Sequence, residues 1–330
     1  MSMRSLFRGL LVAPLLVGGG AGAETAEPAE PARVIVGVYV NQILDLSFKD
    51  RRYTIDVYVW FRWRPEGQMA DYRPLDSFEF INGRIENKTS IVEKTIDGVN
   101  YATARVTANI SEPWDLDAFP LDNHRLRIFL EDSKRVASEM IFEVDRANSR
   151  LGDEIRLSGW TLSFFDAGVT TKAYSSNFGD VSLPTRDRAE FSRFTFSMDL
   201  RRDNHEAAIK LLTTMIVAPL VAFAAFVIKP ADVNTRFGLG VGALFAVATS
   251  AVIVASAVPD SSALTAADKM HMISMTFIFA SLVQSMVSMK LDVTGHRRGS
   301  IWLDRCCLLV FPLLFAMMCG KVVLDAVELE

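Results

Sequence analysis

The chain is predicted to combine an all-β front half with four membrane-crossing helices behind it, and three observations carry that reading. Four apolar stretches, 207–228, 237–258, 270–289 and 306–318 with its flanks, occupy the back third. Each comes near the roughly 20 residues that a helix needs to cross the hydrocarbon core of a bilayer. Ahead of them lies a long polar region that alternates as strands do. Finally, half of the 330 residues are hydrophobic and the mean hydropathy is positive, which suits a protein that is partly in a membrane.

Taken in order, residues 1–23 read as a cleaved secretory signal. Arg4 and Arg8 precede the apolar run 10–17, and small residues at 21–23 supply a cleavage site. An uncleaved first span is the alternative, but the run is short and glycines 18–20 follow it. Loss of the two arginines leaves 33 basic against 39 acidic residues, near −6, with no basic patch for nucleic acid. Residues 24–33, rich in Glu, Pro and Ala, form a flexible leader. From 34 the pattern alternates. Segments 34–40 and 53–63 are strong strands joined by a polar turn at Lys49, Asp50 and Arg51. Further strands are expected at 78–81, 101–110, 125–130, 138–144, 159–165 and 191–200. Short strands with polar turns and no helical period between them indicate a β-sandwich over 34–203. Spans are placed at about 206–228, 236–258, 267–290 and 301–324 in a membrane domain, 204–330. All three cysteines fall in the last span, so the front domain has no disulfide and must be held by its core.

Charge supports this topology. With the front domain outside, Lys229 and Arg236 fall in one inner loop, and Lys290, His296, Arg297 and Arg298 in the other. The outer loop and the tail are acidic, so positive charge lies inside, as expected.

The second span is unlike the others, being full of small and hydroxyl-bearing residues. Helical periodicity collects Gly238, Gly242, Phe245, Thr249, Val252 and Ser256 on one uncharged face. Copies of that stripe around a symmetry axis would enclose water, with Phe245 and Val252 as apolar constrictions and Thr249 and Ser256 keeping the rest wet. Close helix packing through Gly238 and Gly242 explains the small residues equally well. No nucleophile elbow, phosphate loop or zinc-binding helix competes, so the chain does not read as an enzyme and implies no cofactor or metal. His124, His205, His271 and His296 are scattered and read as surface or boundary residues.

A longer pattern separates the two readings of the stripe. The segment 116–126, with Phe119-Pro120-x-Asp122 at its centre, resembles the signature loop of the pentameric ligand-gated ion channels, the Cys-loop receptor superfamily. Glu112 and Leu126 stand at the spacings of the two cysteines of the animal receptors, a departure typical of the prokaryotic branch. The resemblance extends through Trp63, Gly159-Trp160, Glu190 to Arg193, Arg202, Pro219 and Pro259, and 304–312 looks like the fourth span of the amine-gated bacterial member. It implies a homopentamer in a bacterial inner membrane, with an immunoglobulin-like sandwich of about ten strands above four helices and the second helices around a central pore. Both chain termini would lie outside.

The same resemblance implies sites. Agonist would bind between neighbouring outer domains, under a loop at about 171–190, using Phe178 and Phe191 as cage aromatics, Tyr58 from the complementary side, and Glu79, Asn82 and Glu131. Such a cage suits an amine, with cation–π contacts contributing about 0.5 to 2 kcal/mol each. Ser133 stands where the amine-gated member has a phenylalanine. Plain packing of Phe191 and Tyr58 in the sandwich is the competing reading. Coupling would run through Asp50, Phe119, Pro120, Asp122 and Arg202 to the loop starting at Pro259, although an ordinary surface salt bridge would look the same in sequence. Asp232, with Asn234 and Thr235, stands at the inner mouth without the usual glutamate ring, and Asp260 at the outer mouth; monovalent cations are the expected permeant ions. Protons as agonist, or a non-conducting membrane-anchored sensor, are the alternatives to an amine-gated channel.

Overall fold

The computed structural model describes residues 30–176, 178–179, 189–202, 205–258 and 264–328. The expected signal segment and most of the leader lie outside them, as do Pro259, Asp260 and the middle of the 171–190 loop. Among the described residues ten strands form two sheets. Strands β1 (Ala32–Ser47), β2 (Arg52–Trp63), β4 (Gly83–Ile96), β5 (Val99–Ser111) and β7 (Met140–Val144) order as β4-β5-β2-β1-β7, with β8 (Arg150–Leu151) also on β1. Strands β3 (Phe78–Phe80), β6 (His124–Asp132), β9 (Trp160–Tyr174) and β10 (Ala189–Arg202) order as β3-β6-β10-β9. A helical turn, α1 (Pro74–Ser77), leads into β3.

Period-two alternation places the core. Ile55, Val57, Val59 and Phe61 of β2 face Leu126, Ile128 and Leu130 of β6 and Phe194, Phe196 and Met198 of β10 in one buried cluster. Gly37 lies directly across from Trp60, and a Cβ there would stand 2.3 Å from the indole, so the ring covers the strand only because no side chain intervenes. Strand β4 was not expected. Nearly all its side chains are exposed, so it carries no buried alternation; it is a long polar edge strand held by the backbone of β5.

Four helices follow that are long and apolar enough to cross a membrane. They are α2 (His205–Phe223), continued by a 3-10 turn (Ala224–Val227), then α3 (Val233–Ala257), α4 (Ala266–Val293) and α5 (Arg297–Glu328). Helix α3 begins ahead of its apolar run because Asp232 caps it, accepting from the Thr235 backbone N–H at 3.3 Å. Helix α4 opens on a capping box between Thr265 and Asp268. At the start of α5, Arg297 and Arg298, expected in the inner loop, are already helical.

Polar side chains pin the helices together where hydrophobic burial offers little driving force. Arg236 of α3, 1% exposed, reaches Asp304 of α5 at 2.5 Å and the Ile228 carbonyl at the end of the first span. Gln284 of α4 donates to the same carboxylate at 2.7 Å. Higher up, His271 and Ser274 of α4 meet Ser250 of α3 and the Met215 carbonyl of α2 at 3.2 and 2.8 Å. Removing one member of a buried ion pair leaves an unpaired charge, which costs about 3–5 kcal/mol, whereas replacing both with apolar groups costs much less. Asp304→Ala is therefore expected to lower the melting temperature of detergent-solubilised protein more than the double change Arg236→Met with Asp304→Leu. Equal losses would remove this pair from the bundle's support.

Candidate functional site

The β5–β6 loop brings the sandwich onto the helices. Its Phe119–Pro120 peptide is cis, and Phe119 is buried in a cluster with Met215 of α2, Ala267 and Met270 of α4 and Phe315 of α5. The Asp117 and Phe119 carbonyls accept from the Ala266 and Ala267 N–H groups at 2.9 and 3.1 Å. Those are first-turn donors that a helix cannot satisfy internally, so the loop itself completes the start of α4.

Asp122 of this loop is 2% exposed and has two partners. Arg202, the last residue of β10 and just ahead of α2, donates to it at 3.0 Å, and His124 approaches its other oxygen at 2.5 Å. The guanidinium also lies over the Trp160 ring at 4.1 Å and near Phe119 at 5.7 Å. Burial works to raise the Asp122 carboxyl, but the His124 hydrogen bond and the charges around it prevail and hold it below its ordinary value. Asp50 does not share this group: it bonds Ser47 at 2.9 Å and lies 3.5 Å from Arg52, in an exposed turn. His124, expected at a surface or boundary, is buried.

On the outer face of the four-stranded sheet, Glu79 and Glu131 are cross-strand partners on β3 and β6. Glu131, 2% exposed, accepts from Arg193 at 2.6 Å and from the Tyr174 hydroxyl at 3.0 Å, while Arg193 also donates to that hydroxyl at 2.8 Å. Tyr174, Phe178 and Phe191 meet edge to face with centroids 5.4–6.2 Å apart. Tyr174 and Arg193 were not singled out from sequence, although two-residue spacing puts Arg193 on the face of Phe191. Burial, then Glu131 and Asp132, raise the Glu79 carboxyl. Other expected residues have structural employment: Asn82 bridges the Arg127 carbonyl and the Phe129 N–H, and Ser133 donates to the Ser77 carbonyl. Tyr58 lies on the other sheet, beside Arg105.

All six stripe residues of α3 are exposed, with Phe245 at 69% and Val252 at 70%. The opposite face is buried through Arg236, Gly240, Ala243, Val247, Ser250 and Val254. A Cβ at Gly240 would stand 2.4 Å from Leu282 of α4, whereas one at Gly238 or Gly242 meets nothing within 4 Å. Within one subunit, then, close packing accounts for Gly240 and not for the stripe glycines. Thr249 and Ser256 return their hydroxyl protons to the helix's own carbonyls at 2.9 and 2.7 Å, keeping oxygen lone pairs outward. Asp232, Asn234 and Thr235 are exposed at the start of the same helix.

The fold and this junction define a multi-pass membrane protein whose outer β-sandwich is bonded directly to its helices. No family model matches the chain. Among curated proteins it is similar to the proton-gated ion channel of Gloeobacter violaceus, 22% identical over 309 residues, covering 87% of this chain and 81% of that one. It also resembles the glycine receptor subunit beta of Rattus norvegicus and the gamma-aminobutyric acid receptor subunit gamma-4 of Gallus gallus. Each is 21% identical over 77% of this chain, which spans only 54% and 58% of their lengths. Over most of its length the chain is thus similar to members of the Cys-loop superfamily of pentameric ligand-gated ion channels.

Because the folded Asp122 carboxyl lies below its ordinary 3.8, the junction stabilises the protein fully above that pH and weakens as pH falls through the lowered value. The native protein should exceed Asp122→Asn in melting temperature by a margin that is lost as the pH falls below about 4. A difference that does not change with pH would show that Asp122 is not held this way.

Proposed function

We propose that the chain forms a homopentameric ligand-gated channel of a bacterial inner membrane, in which agonist bound between neighbouring outer domains opens a pore lined by α3 and passes monovalent cations. The observation that carries this is the outward stripe of α3, where hydroxyls, glycines and two bulky apolar side chains share one face that its own subunit leaves open. The path from agonist to pore runs through β10, which carries Phe191 and Arg193 at one end and Arg202 at the other. A shift of that strand bears on Asp122 and, through Phe119 and the Asp117 carbonyl, on α4. Asp232 supports cation passage: it is an exposed carboxylate at the inner mouth, repeated five times in the assembly.

The test is cysteine accessibility in liposome-reconstituted protein with Cys306, Cys307 and Cys319 replaced. A charged thiol reagent should block flux at Thr249→Cys and leave Val247→Cys, on the buried face, unaffected. Equal block at both sites, or no ion flux under any stimulus, would overturn the pore assignment. Asp232→Lys should move the reversal potential under a salt gradient towards that of chloride.

The agonist reading is an amine-like molecule with Glu79 as its anchor. Glu131 is already neutralised by Arg193, whereas Glu79 has no ion pair among the described residues. A second reading, protons as agonist, is favoured by the same carboxylate, which burial, Glu131 and Asp132 all push up, and by the proton-gated relative. If protons act there, acid steps without ligand should open the native channel, and Glu79→Gln should remove most of that response. An unchanged acid response in Glu79→Gln would discard Glu79 as the proton site.

A further inference from the structure

The signature segment contains a residue that neither the stripe nor the agonist cluster uses. His124 is buried at the first position of β6, with its ring inside an aromatic enclosure. Phe48 of the β1–β2 turn, Trp114 after β5 and Trp160 of β9 have their rings 5.1, 5.2 and 5.6 Å from it. Its Nε2 lies 2.5 Å from one oxygen of Asp122, while Arg202 holds the other at 3.0 Å. We propose that His124 is a third member of the coupling group: neutral, it fixes Asp122 in the orientation Arg202 needs; protonated, it competes with Arg202 for that carboxylate.

Geometry sets up the competition. One buried carboxylate meets a nitrogen group at each oxygen, and both partners are largely closed off from solvent, with side-chain exposures of 3% for His124 and 15% for Arg202. A neutral imidazole donates one hydrogen bond through Nε2 and leaves the charge of Asp122 to Arg202. An imidazolium brings a full charge to the same anion and repels the guanidinium behind it. Both cations are also tolerated by the surrounding rings, since cationic groups are attracted to aromatic faces and Arg202 already lies over Trp160. Histidine is the side chain that changes charge in the physiological range, so the device is suited to making the hold on the first span depend on pH.

Most other charged groups near the ring are paired among themselves. In the β1–β2 turn Asp50 faces Arg52, and beside Trp114 Glu112 faces Arg127. Next to His124, Arg125 faces Asp199 of β10. Asp115 and Arg201 line the same cleft of about 450 Å³ on its open side. Asp122 and Arg202 therefore remain as the charges that the imidazole meets directly.

The proposal rests on the channel reading for its effect on current, but not for the competition itself, so the two are tested apart. In detergent-solubilised full-length protein, the drop in melting temperature caused by Arg202→Gln is compared at pH 8 and pH 5.5, in the native background and with His124→Gln. Competition predicts that the drop at least halves at pH 5.5 in the native background, because protonated His124 takes over Asp122, and is the same at both pH values with His124→Gln. A drop that ignores pH in the native background overturns the proposal, as does a pH difference that survives His124→Gln. Should His124→Gln fail to fold, tryptophan emission of the native protein decides. Imidazolium beside Trp114 and Trp160 should quench it between pH 8 and 5, and the quench should persist in His271→Gln; no quench, or its loss in His271→Gln, overturns the assignment. In liposomes His124→Gln should flatten the pH dependence of flux between pH 5 and 8. Native liposomes silent at every pH would instead count against the channel reading, and leave the melting and emission results to judge His124.

Discussion

A carboxylate buried to the degree of Asp122 must find partners or unfold its surroundings. An unpaired ion in such a place costs several kcal/mol, more than most single contacts contribute. Its partners come from different parts of the chain: His124 from its own loop and Arg202 from the end of β10. Satisfying Asp122 therefore fixes where β10 ends, and with it where the first span begins. The loop has a second obligation. By accepting from Ala266 and Ala267 it supplies what the first turn of α4 lacks, and Phe119 enters the helix bundle as an apolar plug. The domains are thus joined by bonds that each side needs for its own folding.

At the far end of the bundle a different pair does comparable work. Arg236, Asp304, Gln284 and the Ile228 carbonyl tie the base of α3 to the other three helices in one buried group. Helix α3 is in this way clamped at its base and braced along one face by Gly240 against Leu282, by Val247 and by the Ser250–His271 contact. Its other face is left uncommitted. Arg236 turns inward and is buried, while Asp232, like Lys229, is exposed at that end.

Much of this was legible from residue order, and the failures have physical causes. Alternation betrayed β1, β2, β5 and β10 because each buries one face, and apolar length betrayed the spans. Strand β4 escaped because an edge strand with both faces wet has no period to read. The Phe119–Asp122 motif pointed at the junction, yet Asp50 was expected to share Arg202 and instead folds back on Ser47 and Arg52, a choice made by local turn geometry. His124 and Arg193 lie within segments 116–126 and 190–193, which carry the resemblance. Their roles depend on what the neighbouring strands place beside them, which no spacing within one strand specifies. Tyr174 is the same case: its hydroxyl matters because β9 and β6, 43 residues apart at the contact, bring it to Glu131.

The two positions at the signature loop's cysteine spacings in animal receptors, Glu112 and Leu126, show how the loop is held without a covalent bond. Leu126 is simply core. Glu112, 3% exposed, turns to the next residue and accepts from both the backbone N–H of Arg127 at 3.2 Å and its guanidinium at 2.9 Å. The contact crosses nearly the same gap in sequence that a disulfide would close. Its physics differs in two respects. A disulfide stabilises mainly by restricting the unfolded chain, whereas this clasp acts in the folded state through an ion pair to a buried carboxylate and a backbone hydrogen bond. It is also reversible, since the Arg127 side chain is 42% exposed and has water as an alternative partner. A loop closed in this manner is held in place by an ion pair and by core packing, with no covalent bond across it.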